Sequence, residues 1–312
     1  MTLLTPILCY QGVYYLYAVR IIEGILGGLS FPSINAVYAK WSPPLERSRC
    51  SGFGISGCFT GTTIAMLMSG WLAVAFGWQS IFYVFGVAGA IWSVVWLVVV
   101  KDSPDQDSRM SEKEKNFIKT SLQTHGQVNV EKPPWKAIFT SMPVIAIAIA
   151  HFSYNWGFYT LLAHLPSYMK DILDFDLAKS GFISSIPYLV LSLLLFVSGF
   201  LADWFQMENR LSTTQVRKYF NNLSFFAQMI FLLLAAYFTD TTMIIVCITL
   251  SVGLGAFSIS GYLANPLDIA PQFASIIVGY SNTFATLPGL ISPILTGYIV
   301  ATSVRLLKFS TN

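Results

Sequence analysis

Charge is what this 312-residue sequence has least of: Asp, Glu, Lys and Arg make up 11% of it, against 54% hydrophobic residues. Soluble globular domains carry about 25% charged residues, so composition excludes an ordinary water-soluble globule. Histidines number three and cysteines four. Cys9, Cys50, Cys58 and Cys247 share no disulfide or metal-ligand spacing, and no serine, cysteine or histidine constellation occurs. No metal centre, cofactor or enzyme chemistry is therefore expected. The net charge of +3 is spread over loops between apolar blocks rather than along a helix face, so nucleic acid is not an expected partner. The start lacks the charged run and cleavage site of a signal peptide. Residues 1–9, MTLLTPILC, are too short to span a bilayer, and are expected to be a helix stub whose beginning is missing.

What is present is long apolar runs, with mean hydropathy +0.62. About 20 such residues cross the ~30 Å hydrocarbon layer. The pattern predicts an all-α polytopic membrane protein with about eight full spans after the stub: 14–38, 51–75, 78–100, 143–168, 180–202, 219–238, 242–264 and 273–302. The longest polar segment, 101–140, contains SEKEKNFIKTSLQ with Ser111 and Glu114 at capping-box spacing, and reads as a linker between two bundles with a short surface helix. This divides the chain into 1–100, 101–140, 141–302 and a tail at 303–312. Lys and Arg concentrate in loops 40–50, 101–140 and 203–218, each two spans from the next, which puts those loops on the cytoplasmic side. Arg305 and Lys308 do not fit that alternation.

Charged and polar groups within spans mark the candidate site. Arg20 and Glu23 share one helix face with Gly24 and Gly27, and intramembrane charge is costly enough to need a partner or a wet cavity. His151, Ser153, Tyr154, Asn155 and Tyr159 gather hydrogen-bonding groups on one helix as a polar pocket lining. Asp203 ends a span and is expected to latch a gate with Arg217 or Lys218. Asp268 follows the proline-marked break in GAFSISGYLANPLDIAP and reads as a solvated cap. Gly57 and Gly61 form a small-xxx-small pair for close helix contact.

Several ordered segments carry a family resemblance: RIIEG at 20–24, WSPPLERSR at 41–49, GWQSIFYVFG at 77–86, HFSYNWGFYTLL at 151–162, SSIPYL at 184–189, and LDIAP with SNTFATLPG between 267 and 289. The sequence resembles the anion transporters of the major facilitator superfamily, a family that includes sialin, the vesicular glutamate transporters and the sodium–phosphate cotransporter-like proteins. The resemblance implies two six-helix bundles, here incomplete, that rock around a central site. It implies transport of a small anion such as sialic acid, a glutamate-like organic anion or phosphate, coupled to H+, Na+ or membrane potential. Arg20 would bind the anion and Ser153, Tyr154, Asn155 and Tyr159 would orient it; Glu23 and His151 would carry the coupling proton. Gly27, Asn35 and Pro266 stand where the family often has an acid or a histidine, leaving Glu23 as the acid of its helix. A lysosomal, vesicular or plasma membrane location follows from the resemblance. The other reading of the same chain is a truncated, non-transporting form that associates with a full-length transporter.

Overall fold

In the computed structural model the described residues are 1–123 and 133–310, with side chains described except at 123, 177, 178 and 301–310. The linker segment 124–132, with His125 and Lys132, and the side chains of Arg305 and Lys308 lie outside them. The helices in chain order are α1 Thr5–Gln11, α2 Val13–Gly27, α3 Ser30–Trp41, α4 Arg47–Phe76, α5 Gln79–Val99, α6 Glu112–Gln123, α7 Trp135–Thr140, α8 Met142–Asp171, α9 Leu177–Met207, α10 Thr213–Tyr237, α11 Thr241–Leu254, α12 Ala256–Ser258, α13 Asn265–Ile269, α14 Ala274–Ala285 and α15 Leu287–Ser310. A π turn, Ile259–Leu263, joins α12 to α13.

Local chemistry sets these boundaries. Asp176 accepts from Lys179 N at the start of α9, Asp240 from Met243 N at the start of α11, and Ser212 with Gln215 forms a capping box on α10. Ser111 accepts from Glu114 N at α6, as its spacing predicts. The expected single span 14–38 is broken between α2 and α3: Gly27 and Gly28 weaken the helix, and Pro32 has no N–H to donate to the Gly28 carbonyl. The 242–264 span is interrupted at Gly255, between α11 and α12, and runs into the π turn, beyond which Pro266 stands at the start of α13.

Among the described residues, seven helical stretches are long and apolar enough to cross a membrane: 13–41, 44–76, 79–99, 179–207, 213–237, 241–269 and 271–300. The eighth expected span is α8, long enough at 30 residues. Its run from His151 to Asn155 lowers its hydropathy, which marks it as a helix with a face turned to protein. The chain is a multi-pass, all-α membrane protein.

The core lies mainly in the second half, where Leu165, Met169, Tyr188, Leu191, Leu195 and Ile277 are almost wholly buried. By contrast α5 buries no residue and α2 only Val19. The main seam between the halves is α4 against α9. Its closest approach is at Gly52 and Gly199: a Cβ on Gly52 would stand 3.0 Å from the Leu195 carbonyl oxygen, and one on Gly199 2.8 Å from that of Ser48. Gly57 and Gly61, the expected contact pair, have nothing within 4 Å of a built Cβ. Higher on the seam, Thr60 and Ser192 hydroxyls meet at 2.7 Å. A second seam brings α3 to α14, with Pro32 near Gly279.

Candidate functional site

Helical spacing of three and four residues places His151, Tyr154, Asn155 and Tyr159 on one face of α8, and the structure turns that face inward. His151, Tyr154 and Asn155 are buried. The Asn155 amide donates to the Ala285 carbonyl at 2.8 Å, tying α8 to the end of α14. His151 Nδ1 lies 3.2 Å from Ser281 Oγ, and that hydroxyl donates to the Val278 carbonyl at 3.1 Å. With the serine proton so used, the Ser281 oxygen is placed to accept from His151 Nδ1 in the tautomer that carries its proton there. Tyr159 packs against Gly289 of α15, where a Cβ would come within 3.3 Å of the ring. Ser153, two residues round from Asn155, is exposed and stands apart from this group.

Rings extend the cluster across the protein. His151 stands 5.0 Å from Tyr262 of the π turn, Tyr262 5.9 Å from Tyr154, and Phe158 5.6 Å from Phe59 of α4. The polar face is thus lined by α8, the π turn and α14, and touches the first half of the chain through Phe158.

Arg20 and Glu23 form an ion pair of 2.9 Å on α2. Glu23 also accepts from Thr2 at 3.0 Å, and the Arg20 guanidinium lies 5.6 Å from the Phe82 ring centre on α5. Among the described residues no hydrogen bond, ion pair or ring contact joins this pair to the α8 face. Gly24 and Gly27 meet nothing within 4 Å of a built Cβ, so the glycine face beside the pair is unpacked.

Asp203 and Arg217, the expected latch pair, are joined through other residues in one cluster, called the latch below. Asp203, at the end of α9, is 1% exposed and accepts from the backbone N–H groups of Ser48 at 3.2 Å and Arg49 at 2.7 Å, at the N-terminus of α4. Arg217 does not bond it directly. Instead Arg217 Nε donates to Asp268 at 2.7 Å, while Nη1 donates to Ser48 Oγ at 2.7 Å and to the Ser260 carbonyl of the π turn at 2.7 Å. Ser48 is therefore the link between Asp203 and Arg217. Arg47 completes the cluster by donating to the Leu267 carbonyl and standing 3.5 Å from Asp268.

Asp268 is accordingly no solvated cap; its side chain is 14% exposed and faces two guanidinium groups. Arg47 and Arg217, which as loop cations indicate sidedness, are buried at 5% exposure each. Sequence reasoning missed Arg47, Ser48 and Asp268 as one unit. The signal available was Arg47 and Arg49 beside the prolines of WSPPLERSR, more charge than a plain turn requires. Tyr262 and Ser281 were missed as partners of His151, since neither spacing nor composition joins residues so far apart in sequence.

The Major Facilitator Superfamily profile matches residues 1–293. Human sialin is 40% identical over 297 residues, covering 95% of this chain and 60% of sialin. Zebrafish vesicular glutamate transporter 3 and bovine vesicular glutamate transporter 2 are each 38% identical, covering 92% of this chain and 50% of their own length. The chain thus spans 50–60% of the length of these relatives. Matched over nearly its whole length, the chain belongs to the major facilitator superfamily, in the group that holds sialin and the vesicular glutamate transporters.

Proposed function

We propose that this protein is a secondary transporter, not an enzyme, moving a small organic anion or phosphate by alternating access, with the latch as its closed cytoplasmic gate. The observation that carries this reading is the position of the latch. Arg47, Ser48 and Arg49 of the first half are bonded to Asp203, Arg217, Leu267 and Asp268 of the second, where the start of α4 meets the end of α9, the start of α10 and α13, beside the π turn that lines the polar face. A contact of this kind closes one side of a path when formed and opens it when broken. The names of the vesicular glutamate transporters support an anionic cargo, with sialic acid and phosphate as the other candidates. Residence in a vesicular, lysosomal or plasma membrane belongs to the same proposal.

In this reading Arg20 is the group for a carboxylate or phosphate, because a guanidinium matches either with paired hydrogen bonds. Glu23 holds Arg20 until the anion replaces it and is free to take a proton when it does. Tyr154, Asn155 and Tyr159 orient the cargo, and His151 Nε2 offers a proton acceptor. Ser153 has no place in the set, because it is exposed on another side of α8. Coupling to H+ or Na+ enters through Glu23 and His151.

The test is reconstitution of the chain in liposomes, with uptake of labelled sialic acid, glutamate and phosphate under an imposed pH gradient, Na+ gradient or membrane potential. Uptake of one anion under one gradient is expected, and is lost in Arg20→Ala at equal incorporation. Uptake unchanged by Arg20→Ala overturns the role of Arg20. If no anion moves, while a longer chain restored to the length of the relatives does transport, this chain is the non-transporting form.

A further inference from the structure

Next to the latch, between the start of α8, the second and third turns of α10 and the π turn, lies a partly open cavity of ≈ 560 Å³. Its size is that of a small-molecule site rather than a single-ion site. One wall is polar and basic: Arg217, Lys218, Asn221 and Asn222 of α10, with Tyr262 and Asn265 beyond them. The other wall is the apolar start of α8, including Pro143, Ile147 and Ala150.

Two groups on the basic wall have unmet hydrogen-bonding capacity. Arg217, 5% exposed, uses Nε and Nη1 in the latch, whereas its Nη2 has no partner. Asn221 Oδ1 is likewise buried without a partner. Polar groups left unmet in this way are costly, and both belong to residues that line the cavity. Lys218 is exposed and, among the described residues, forms no ion pair. The charged residues that line the cavity are Arg217 and Lys218, and Asp268, the acid that Arg217 meets, also faces Arg47. The excess is positive, and Asp268 is already shared by two arginines.

We propose that this cavity binds a phosphate group, carried by the headgroup of an anionic phospholipid, with Arg217 and Lys218 as its cationic partners and Asn221 and Asn222 bonding the rest of the headgroup. The apolar wall of α8 suits the glycerol and upper acyl carbons. The cavity also sits at the helix ends where headgroups lie, and basic pockets between cytoplasmic helix ends attract such lipids. Because Arg217 is also a latch residue, an occupant of the cavity stabilises the closed gate. This site goes beyond the anion path and does not depend on which anion is transported.

The purified full chain in uncharged detergent is melted, followed by tryptophan fluorescence, with dioctanoyl phosphatidylserine, dioctanoyl phosphatidylcholine or inorganic phosphate added. The expected result is a saturable rise in melting temperature with phosphatidylserine and none with phosphatidylcholine. Lys218→Gln is expected to weaken the apparent affinity about fivefold, the equivalent of about 1 kcal/mol for one basic residue. Asn222→Asp, which puts a negative charge on the exposed rim, abolishes the rise. The melting temperatures of both variants without ligand control for folding. An equal, Lys218-dependent rise with inorganic phosphate keeps the phosphate site but makes free phosphate its occupant. A rise that is the same with phosphatidylcholine, or that neither variant changes, overturns the proposal, as does no rise with any of the three.

Discussion

Asp203 caps a helix that is not its own. Its two carboxylate oxygens accept from the first backbone N–H groups of α4, those of Ser48 and Arg49, 155 and 154 residues away in sequence. The first N–H groups of a helix have no intrahelical acceptor and carry the positive end of its dipole, so a carboxylate there is held by geometry and by charge. Hydrogen bonds to a charged acceptor are worth about 1.5–3 kcal/mol each. Asp203→Ala is therefore expected to weaken the gate by at least about 2 kcal/mol, a shift of about thirtyfold in the closed-to-open ratio. Maleimide labelling of Cys50, next to Arg49 in the first turn of α4 and half-buried, reads this out in a background lacking Cys9, Cys58 and Cys247. Labelling at Cys50 should rise in the variant; an unchanged rate would show that Asp203 does not hold the gate shut.

Asp268 tests a different property, because it is the acid between two buried arginines. Removing one partner of a buried pair costs about 3–5 kcal/mol, since the remaining charge is left uncompensated. Asp268→Ala strands Arg47 and Arg217 together and should lower the melting temperature more than Arg217→Ala, which strands Asp268 with Arg47 still beside it. The double variant should lose much less than the sum of the two. Additive losses in that cycle would mean that the 2.7 Å contact between Arg217 and Asp268 contributes little.

The contrast between the α8 face and the latch shows what sequence carries. His151, Tyr154, Asn155 and Tyr159 were legible as a set because they lie on one helix, where spacing alone fixes which side chains share a face. Ser153 was grouped with them by composition and falls elsewhere because one hundred degrees per residue turns it away. The latch was legible only as an acid and a base at neighbouring helix ends. Its real partners, Arg47 with Leu267 and Asp203 with Ser48, are set by how two halves dock, and no local pattern encodes separations of 220 and 155 residues. The same holds for the glycines. Gly57 and Gly61 had the right spacing for a contact, but spacing does not say which turn of α4 meets a neighbour. Gly52 is the one opposite Gly199.

That difference can be measured. A Cβ at Gly199 would meet the backbone of Ser48 and Arg49, which cannot move aside without disturbing the cap on α4. Gly199→Ala should cost about 1–3 kcal/mol by overpacking and raise Cys50 labelling as Asp203→Ala does. Gly57→Ala has open space around it and should be neutral or up to about 1 kcal/mol stabilising, from the higher helix propensity of alanine. A destabilising Gly57→Ala with a tolerated Gly199→Ala would place the seam one or two turns from where the structure has it.

The linker supplies a pH prediction. Arg109 donates from its backbone N, Nε and Nη2 to Asp107 at 2.9, 2.9 and 2.8 Å, and Nη2 also reaches the Val99 carbonyl at the end of α5. These bonds from Arg109 hold the Asp107 carboxyl down at about 2. A depressed carboxyl contributes stability that is fully present above its unfolded value, about 3.9, and is lost only as pH falls through the folded value. Between about pH 7 and about pH 5 the clasp should therefore neither tighten nor loosen. Amide hydrogen exchange across residues 100–110, corrected for intrinsic rates, should give the same protection at both pH values in the native chain. Asp107→Asn should lose protection at both, because the amide keeps the shape and removes the charge. Protection that falls between those two pH values in the native chain would mean that another group sets the clasp, and would bring the linker into any proton coupling that this protein performs.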